Sequence, residues 1–331
     1  MKRHITIAGG GLAGLSLGIA LRNRGVAVTL HEAGSYPRHR VCGEFLSGVS
    51  DKTLERLGIA HDLDDAIPLK SSCWRNDSRQ LGEISVSGRG MSRRLLDDRL
   101  QKRFTRLGGN LVSGSRLRSG QGVVWAAGRV RQSSPWIGLK CHVRDLELTH
   151  DLEMHVGTSG YAGLARIEDG RVNLCGLFQA GSASGKGIGL LLGCLQAGGL
   201  LRLAKRIGEA VPDPESFCGV AGFRFGRTAA ASFSIGDAAL MIPPFTGNGM
   251  SMALEAAEQA IQPAMDFAAG RISWEEAATR SDAAQRRHFR RRMSLASMIH
   301  PVMTSRPGLK LLEMAASAQL LPYGALYRLL R

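Results

Sequence analysis

The stretch 5-ITIAGGGLAGLSLGIALRNRGVAVTLHE-32 decides how this chain folds. It reads as a short apolar strand, a glycine-rich turn, a helix ending at Gly25 and a second apolar strand, which together make one βαβ unit. Gly9, Gly11 and Gly14 fill the GxGxxG positions of the turn. Gly9 permits the tight bend, Gly11 lets the main chain approach a pyrophosphate, and Gly14 brings the helix close to the sheet. The amides around Leu12 and Ala13, at the helix N-terminus, attract negative charge. Glu32 closes the second strand, where a carboxylate takes both ribose hydroxyls of an adenosine and disfavours the 2′-phosphate of NADP. The unit therefore predicts dinucleotide binding.

Working outward, 331 residues that are 44% hydrophobic suffice for two domains, or for one large α/β unit with an inserted layer. No segment approaches about 18 uninterrupted apolar residues and no signal-like stretch precedes the first strand, so a cytoplasmic protein is expected, with peripheral membrane contact left open. Cys42, Cys73, Cys141, Cys175, Cys194 and Cys218 are scattered singly, which argues against a zinc site or a disulfide framework; no metal is expected. Lys and Arg number 43 against 28 Asp and Glu, a formal +15, with much of the excess in 285-QRRHFRRRM-293. That balance suits a phosphate-bearing cofactor, an anionic lipid surface or nucleic acid, and equally a solvated basic helix. Phe289 alone accompanies the basic run, so base stacking is poorly provided and nucleic acid is the weakest of these partners.

Further along, helical spacing covers 51–60, with Asp51 available as its cap, and 92–109, where Leu95, Leu96, Leu100, Phe104 and Leu107 form an apolar stripe. Residues 68–88 are strand-like, and 122-GVVWAAG-128 has the continuous apolar character of a buried parallel strand. From 135 to about 180 several short strands with turns at EDGR and TSGY predict an antiparallel sheet inserted between halves of the nucleotide domain. A helix is expected over about 187–208, then strand, acidic loop and helix over 233–261, then a Met- and Leu-rich helical tail. The fold class expected is α/β: a Rossmann-like dinucleotide-binding domain over 1–67, 91–132 and 219–262, which the resemblance given next makes an FAD-binding domain, an inserted antiparallel β-sheet substrate domain over 68–90 and 133–218, and a C-terminal helical region over 263–331. The segment 180-AGSASGKGIG-189 fails the phosphate-loop spacing, because position 180 is Ala and no Ser or Thr follows Lys186.

The choice of FAD comes from 235-IGDAALMIPPFTGNGMSMALEAAEQA-260, where Asp237 follows a strand and Gly247-Asn248-Gly249-Met250 open a long helix. This arrangement resembles the second flavin-binding motif of the FAD-dependent family that includes para-hydroxybenzoate hydroxylase, geranylgeranyl reductases and flavin-dependent halogenases. The resemblance implies that Asp237 contacts the ribityl or pyrophosphate part, and that the helix N-terminus faces the N1–C2 edge of the flavin ring. Ser92-Arg93 with Leu96, Asp97 and Leu100 resembles the helix whose leading Arg or Gln reaches the flavin nucleotide, which makes Arg93 the candidate for that contact, weighed against a surface Arg on a basic helix. The stretch 40-RVCGEFLS-47 resembles a loop that runs beside the flavin, with Arg40 neutralising charge and Gly43 allowing close approach. Cys42 is read as a relay or substrate-contacting thiol, or as a small packed one. Glu44 is read as the ion-pair partner of Arg40, or alternatively as an active-site acid. Relatives end the strand at 123–128 in Asp-Gly where this chain has Ala127-Gly128, which argues against efficient direct use of NADPH and leaves NAD(P)H as one candidate donor. No Gly-Trp-x-Trp-x-Ile-Pro stretch is present, which argues against halogenation.

The resemblance thus implies an FAD-dependent oxidoreductase acting on a small lipophilic or aromatic molecule. One outcome is a monooxygenase hydroxylating the ring through a flavin C4a-hydroperoxide; the alternative is reduction of a prenyl or other activated double bond. Trp136, Tyr161, Phe178, Phe223 and Phe225 are aromatic candidates for the pocket wall, each weighed against ordinary core. His142 and His155 have no partner at metal-ligand or triad spacing and receive no catalytic role.

Overall fold

A computed structural model describes residues 3–118, 120–129, 132–228 and 233–330; positions 1, 2, 119, 130, 131, 229–232 and 331, which the expected domain ranges include, lie outside the described residues. The βαβ unit forms as read. β1 (Ile5–Ala8) and β2 (Val28–Glu32) pair in parallel around α1 (Leu12–Asn23). Gly18 is small where the ring of Phe104 presses on α1, so the helix packs tightly against its neighbour. Downstream come β3 (Phe45–Ser47), α2 (Asp51–Leu57), β4 (Ile67–Arg75), β5 (Gln80–Gly90), α3 (Arg93–Arg106), β6 (Asn110–Ser113) and β7 (Val123–Trp125). The first sheet is parallel in the order β6-β2-β1-β7, so the strand order reverses beside β1 and leaves a crevice at the strands' carboxyl ends.

The cap of α2 is Ser50, whose hydroxyl accepts from Thr53 N at 3.1 Å, and not Asp51; the first helical residue cannot fold back onto its own amides. Ser92 caps α3 in the same manner, as its sequence suggests.

The second sheet adds β8 (Trp136–Arg144), β9 (Leu152–Gly157), β10 (Gly160–Arg166), β11 (Val172–Gln179) and, after α4 (Gly187–Ala197) and α5 (Leu201–Glu209), β12 (Val211–Ala221). Its order is β12-β8-β11-β10-β9-β4-β5-β3, antiparallel except where β4 runs parallel to β9. The expected helix over 187–208 is broken at Gly198 and Gly199, the latter at φ 76°. On β8, Leu139, Cys141 and Val143 pack against α4 and α5, while Gly138, Lys140 and His142 alternate onto the face toward the nucleotide layer.

A small ribbon, β13 (Gly226–Arg227) with β14 (Leu240–Met241), precedes α6 (Gly249–Ala268), α7 (Trp274–Met303), α8 (Arg306–Ser317) and α9 (Tyr323–Leu329). The strand expected at 233 is reduced to one bridge, Ser234 to Trp125, followed by a 3₁₀ turn at Gly236–Ala238. The main core joins α1, α3, α6 and α7 to the first sheet. No helix among the described residues is long and apolar enough to cross a membrane.

Candidate cofactor and substrate cavity

A cavity of about 940 Å³ lies between the two sheets, near the upper end of the roughly 300–1,000 Å³ seen for small-molecule sites. Gly9, Gly11, Leu12, Ala13, Glu32, Arg40, Cys42, Arg93, Asp237, Gly247, Gly249 and Met250 all line it, so most residues singled out in the sequence converge there. Gly14, Glu44 and Asn248 do not. A Cβ on Gly14 would stand 2.0 Å from Gly9 O, which makes this glycine a packing requirement. Asn248 is buried and donates Nδ2–H to Leu330 O at 2.6 Å, tying the tail to the start of α6.

Two helices begin on this cavity. Neither α1 nor α6 has a side-chain cap or an acidic residue in its first turn, so their free N–H groups and positive dipole ends face it uncompensated. A Cβ built on Gly11 would have as its nearest neighbour the Arg93 NH2 nitrogen, at 3.8 Å, and one on Gly249 would meet nothing within 4 Å. At Gly9, φ is 112° and a Cβ would collide with Ala126 O at 2.2 Å, so that turn admits only glycine.

The arginines are fixed by Asp97, a residue of the α3 motif to which the sequence assigns no role of its own. Asp97, fully buried one turn along α3, takes Arg93 at Nε and NH2, each at 2.8 Å, and Arg40 Nε at 2.9 Å. Burial pulls the Arg93 pKa down, but Asp97 outweighs it and the guanidinium is held charged. Glu32 accepts from Gly10 N at 2.8 Å and Gly34 N at 2.9 Å and pairs with Arg38 at 2.6 Å. Burial raises its pKa, yet those amides with Arg40 and Arg38 lower it overall. Asp237 is open to the cavity though protein crowds it; burial raises its pKa against the pull of Arg93 and Arg129.

The expected Arg40–Glu44 ion pair does not form. Arg40 turns to Asp97 and to Glu32, whereas Glu44, at φ 57°, swings under β8 to Lys140 Nζ at 3.2 Å and His142 Nε2 at 2.5 Å. Cys42 lines the cavity with Sγ accepting from Glu44 N at 3.4 Å; burial raises the thiol pKa, with Arg93 opposing, so it stands as a thiol. Of the aromatic candidates, Tyr161 and Phe223 reach the cavity, Phe178 is core, and Trp136 and Phe225 pack around His300. The far wall also carries Met154, Cys175, Leu177, Cys218 and Val220, an apolar lining. His39 lines the cavity too, and nothing in its local sequence distinguishes it.

This architecture, a Rossmann-like parallel layer with a larger sheet roofing the crevice, defines a two-sheet α/β fold. The same fold occurs in solved structures of flavin-dependent enzymes. The structure of PqsL from P. aeruginosa in complex with 2-aminobenzoylacetate superposes with TM-score 0.72 at 16% identity, covering 94% of this chain and 99% of that one. A variant of 2-methyl-3-hydroxypyridine-5-carboxylic acid oxygenase gives 0.69 at 19% identity over 91% and 92%. The flavin-dependent brominase Bmp2 gives 0.73 at 16% identity over 99% and 93%. No family model matches the chain, and no curated protein matches its sequence.

Proposed function

We propose that the cavity holds FAD and that the protein is an FAD-dependent monooxygenase of a small, apolar aromatic molecule. The observation that carries this is the meeting of two uncapped helix N-termini, those of α1 and α6, on one cavity with a hydrophobic far wall. Three neighbours of the same fold are described as acting through flavin or as an oxygenase, PqsL among them as a probable FAD-dependent monooxygenase, and a PqsL structure holds 2-aminobenzoylacetate, which agrees with that occupant.

The residues fit the cofactor part by part. Glu32, already oriented by the amides of Gly10 and Gly34, would take the adenosine ribose in exchange for its bond to Arg38. The α1 amides beside Gly11, with Arg93 clamped by Asp97, would hold the pyrophosphate; a guanidinium fixed beforehand loses little entropy on binding. Asp237 would accept from ribityl hydroxyls. Gly247, at φ 66° with the Phe45 ring where a Cβ would be, would let the backbone pass close to the ring system, and the amides of Gly249 and Met250 would stabilise negative charge there. When bound, FAD supplies the two-electron chemistry and the reaction with oxygen. The chain's own part is to exclude water with Met154, Leu177, Val220 and Phe223, and to orient the ring against Tyr161. Tyr161 OH accepts from Phe245 N at 3.1 Å, which leaves its own proton to donate.

The test is direct. FAD-loaded protein, reduced and supplied with ¹⁸O₂ and a panel of apolar phenols, is expected to place one labelled oxygen atom on a ring carbon. Reduction of an added prenyl double bond with no oxygen incorporation would instead assign the double-bond reductase.

A further inference from the structure

Lys140 and His142 leave β8 on the cavity side of the second sheet, and both are fully buried. Glu44, also fully buried, reaches them from the residue just before β3, at the far edge of the same sheet, with a left-handed backbone, φ 57°, a conformation that costs a non-glycine residue about 1–3 kcal/mol and is retained where the surroundings demand it. An unbroken chain of polar contacts results. His142 Nε2 lies 2.5 Å from Glu44 Oε2, Lys140 Nζ lies 3.2 Å from Glu44 Oε1, and the same Nζ lies 3.1 Å from His39 Nδ1. Arg93 N–H also donates to Glu44 Oε1, at 3.1 Å.

The two ends of this chain differ: one lines the cavity and the other is a buried nitrogen beside Asp213. His39 lines the cavity, and because Lys140 donates to Nδ1 the remaining nitrogen, Nε2, carries the ring proton. At the other end His142 Nδ1 is buried without a hydrogen-bond partner. Asp213 faces His142 across the β8–β12 pair and is partly exposed on the edge strand. One nitrogen of each histidine and one Asp213 oxygen lie within 4.8 Å of one another, a span that a water molecule bridges. A metal ion is disfavoured there, since the Lys140 ammonium already occupies His39 Nδ1.

We propose that His142, Glu44, Lys140 and His39 form a proton relay that carries one proton from solvent at Asp213 to the molecule bound in the cavity. A proton enters at His142 Nδ1 as Nε2–H passes to Glu44. Glu44 returns a proton to Lys140 after a half-turn of its carboxyl, Lys140 gives one to His39 Nδ1, and His39 Nε2–H passes to the ligand. One proton enters, one leaves, and no intervening group changes charge. The relay rests on the monooxygenase reading, in which dioxygen, a hydride donor, one proton and the substrate yield hydroxylated product, water and the oxidised donor, so each turnover consumes a proton. The groups facing His39 support its role as a neutral conduit: burial first, then Lys140, His142 and Arg94 push its pKa down to about 4, with Glu44 opposing.

Two measurements test the relay. Nitrogen-15 histidine spectra of the full chain before FAD is added are expected to show His39 as the neutral Nε2–H tautomer at pH 6, changing to mixed tautomers in Lys140→Met; mixed tautomers in the unmutated protein would overturn the network. In the FAD-loaded, dithionite-reduced protein mixed with oxygen, a pH indicator should report proton uptake slowed about 100-fold in His142→Gln and about tenfold in Asp213→Asn, with a larger solvent deuterium effect and rescue by added imidazole. Uptake at the unmutated rate in both variants would overturn the relay, as would stoichiometric zinc bound by these histidines. Should the chain take up no FAD, the monooxygenase reading falls while the spectra still judge the network.

Discussion

The carboxylate of Asp97 closes on Arg93 from one helical turn away, Nε to Oδ1 and NH2 to Oδ2 both at 2.8 Å, and its Oδ2 also receives Arg40. One buried acid thus sets two arginines on the wall of the cavity. Asp97→Asn keeps the shape but takes from Arg93 the carboxylate it is clamped to, and leaves Arg40 with Glu32 alone at 3.5 Å. Breaking a buried pair from one side costs about 3–5 kcal/mol, and the partial exposure of Arg40 places this change at the lower end. Urea unfolding measures it; a loss under about 1 kcal/mol would show that the pair contributes little.

The glycines of the turn should separate by what their side of the chain faces. Gly11→Asp places a carboxylate in open space beside Arg93, so we expect a folded protein whose FAD affinity is at least about tenfold weaker. Gly14→Ala drives a methyl group to 2.0 Å from Gly9 O and should destabilise the fold by about 1–3 kcal/mol. Thermal melts and flavin titrations on the pair check both; the reverse ordering would contradict the assignment.

Acid should weaken the fold through its histidines. His39 and His300 are both pushed down to about 4, burial being the first cause in each, against about 6.5 in an unfolded chain. Between those values the unfolded state binds more protons than the folded one, so stability rises with pH across the window and is lost as pH falls through it. The slope is at most about 1.4 kcal/mol per pH unit for each histidine, and less for the partly exposed His39. Glu32 and Glu44, held below their ordinary value, add stability that is present above about pH 4.3 and lost below it. His300 has both ring nitrogens buried without partners among Phe225, Trp136 and Phe245. His300→Phe should therefore flatten the dependence of Tm on pH between about 6.5 and 4.5. An unchanged slope would contradict this.

The tail is fastened at Asn248. Asn248→Ala removes the donor to Leu330 O and should cost about 1 kcal/mol, seen as faster proteolysis within Tyr323–Leu329 than within α7.

What could be read from the sequence follows the range of the interactions. The βαβ unit, the glycines and the start of α6 are local patterns, and the cavity gathers most of them. Asp97 was equally local, four residues from Arg93 on a helix, and that spacing is the signal that finds it. The Glu44 contact with His142 was not readable, because it joins residues 98 apart that lie on distant strands of one sheet, and a helix or strand period carries no trace of it. Glu44 beside Arg40 looked like an ion pair only because the two are near in sequence; the left-handed backbone at Glu44 turns the side chain elsewhere. The two breaks in expected elements each fall at a glycine with positive φ, Gly199 and Gly236.

The central claim is that the first and last parts of the nucleotide layer hold one FAD. Its most direct measurement is the visible spectrum and flavin stoichiometry of the purified chain beside Gly11→Asp. The account gives a yellow protein with one FAD per chain, and a folded variant that loses it. A well-folded, colourless chain that takes up no added FAD would contradict it.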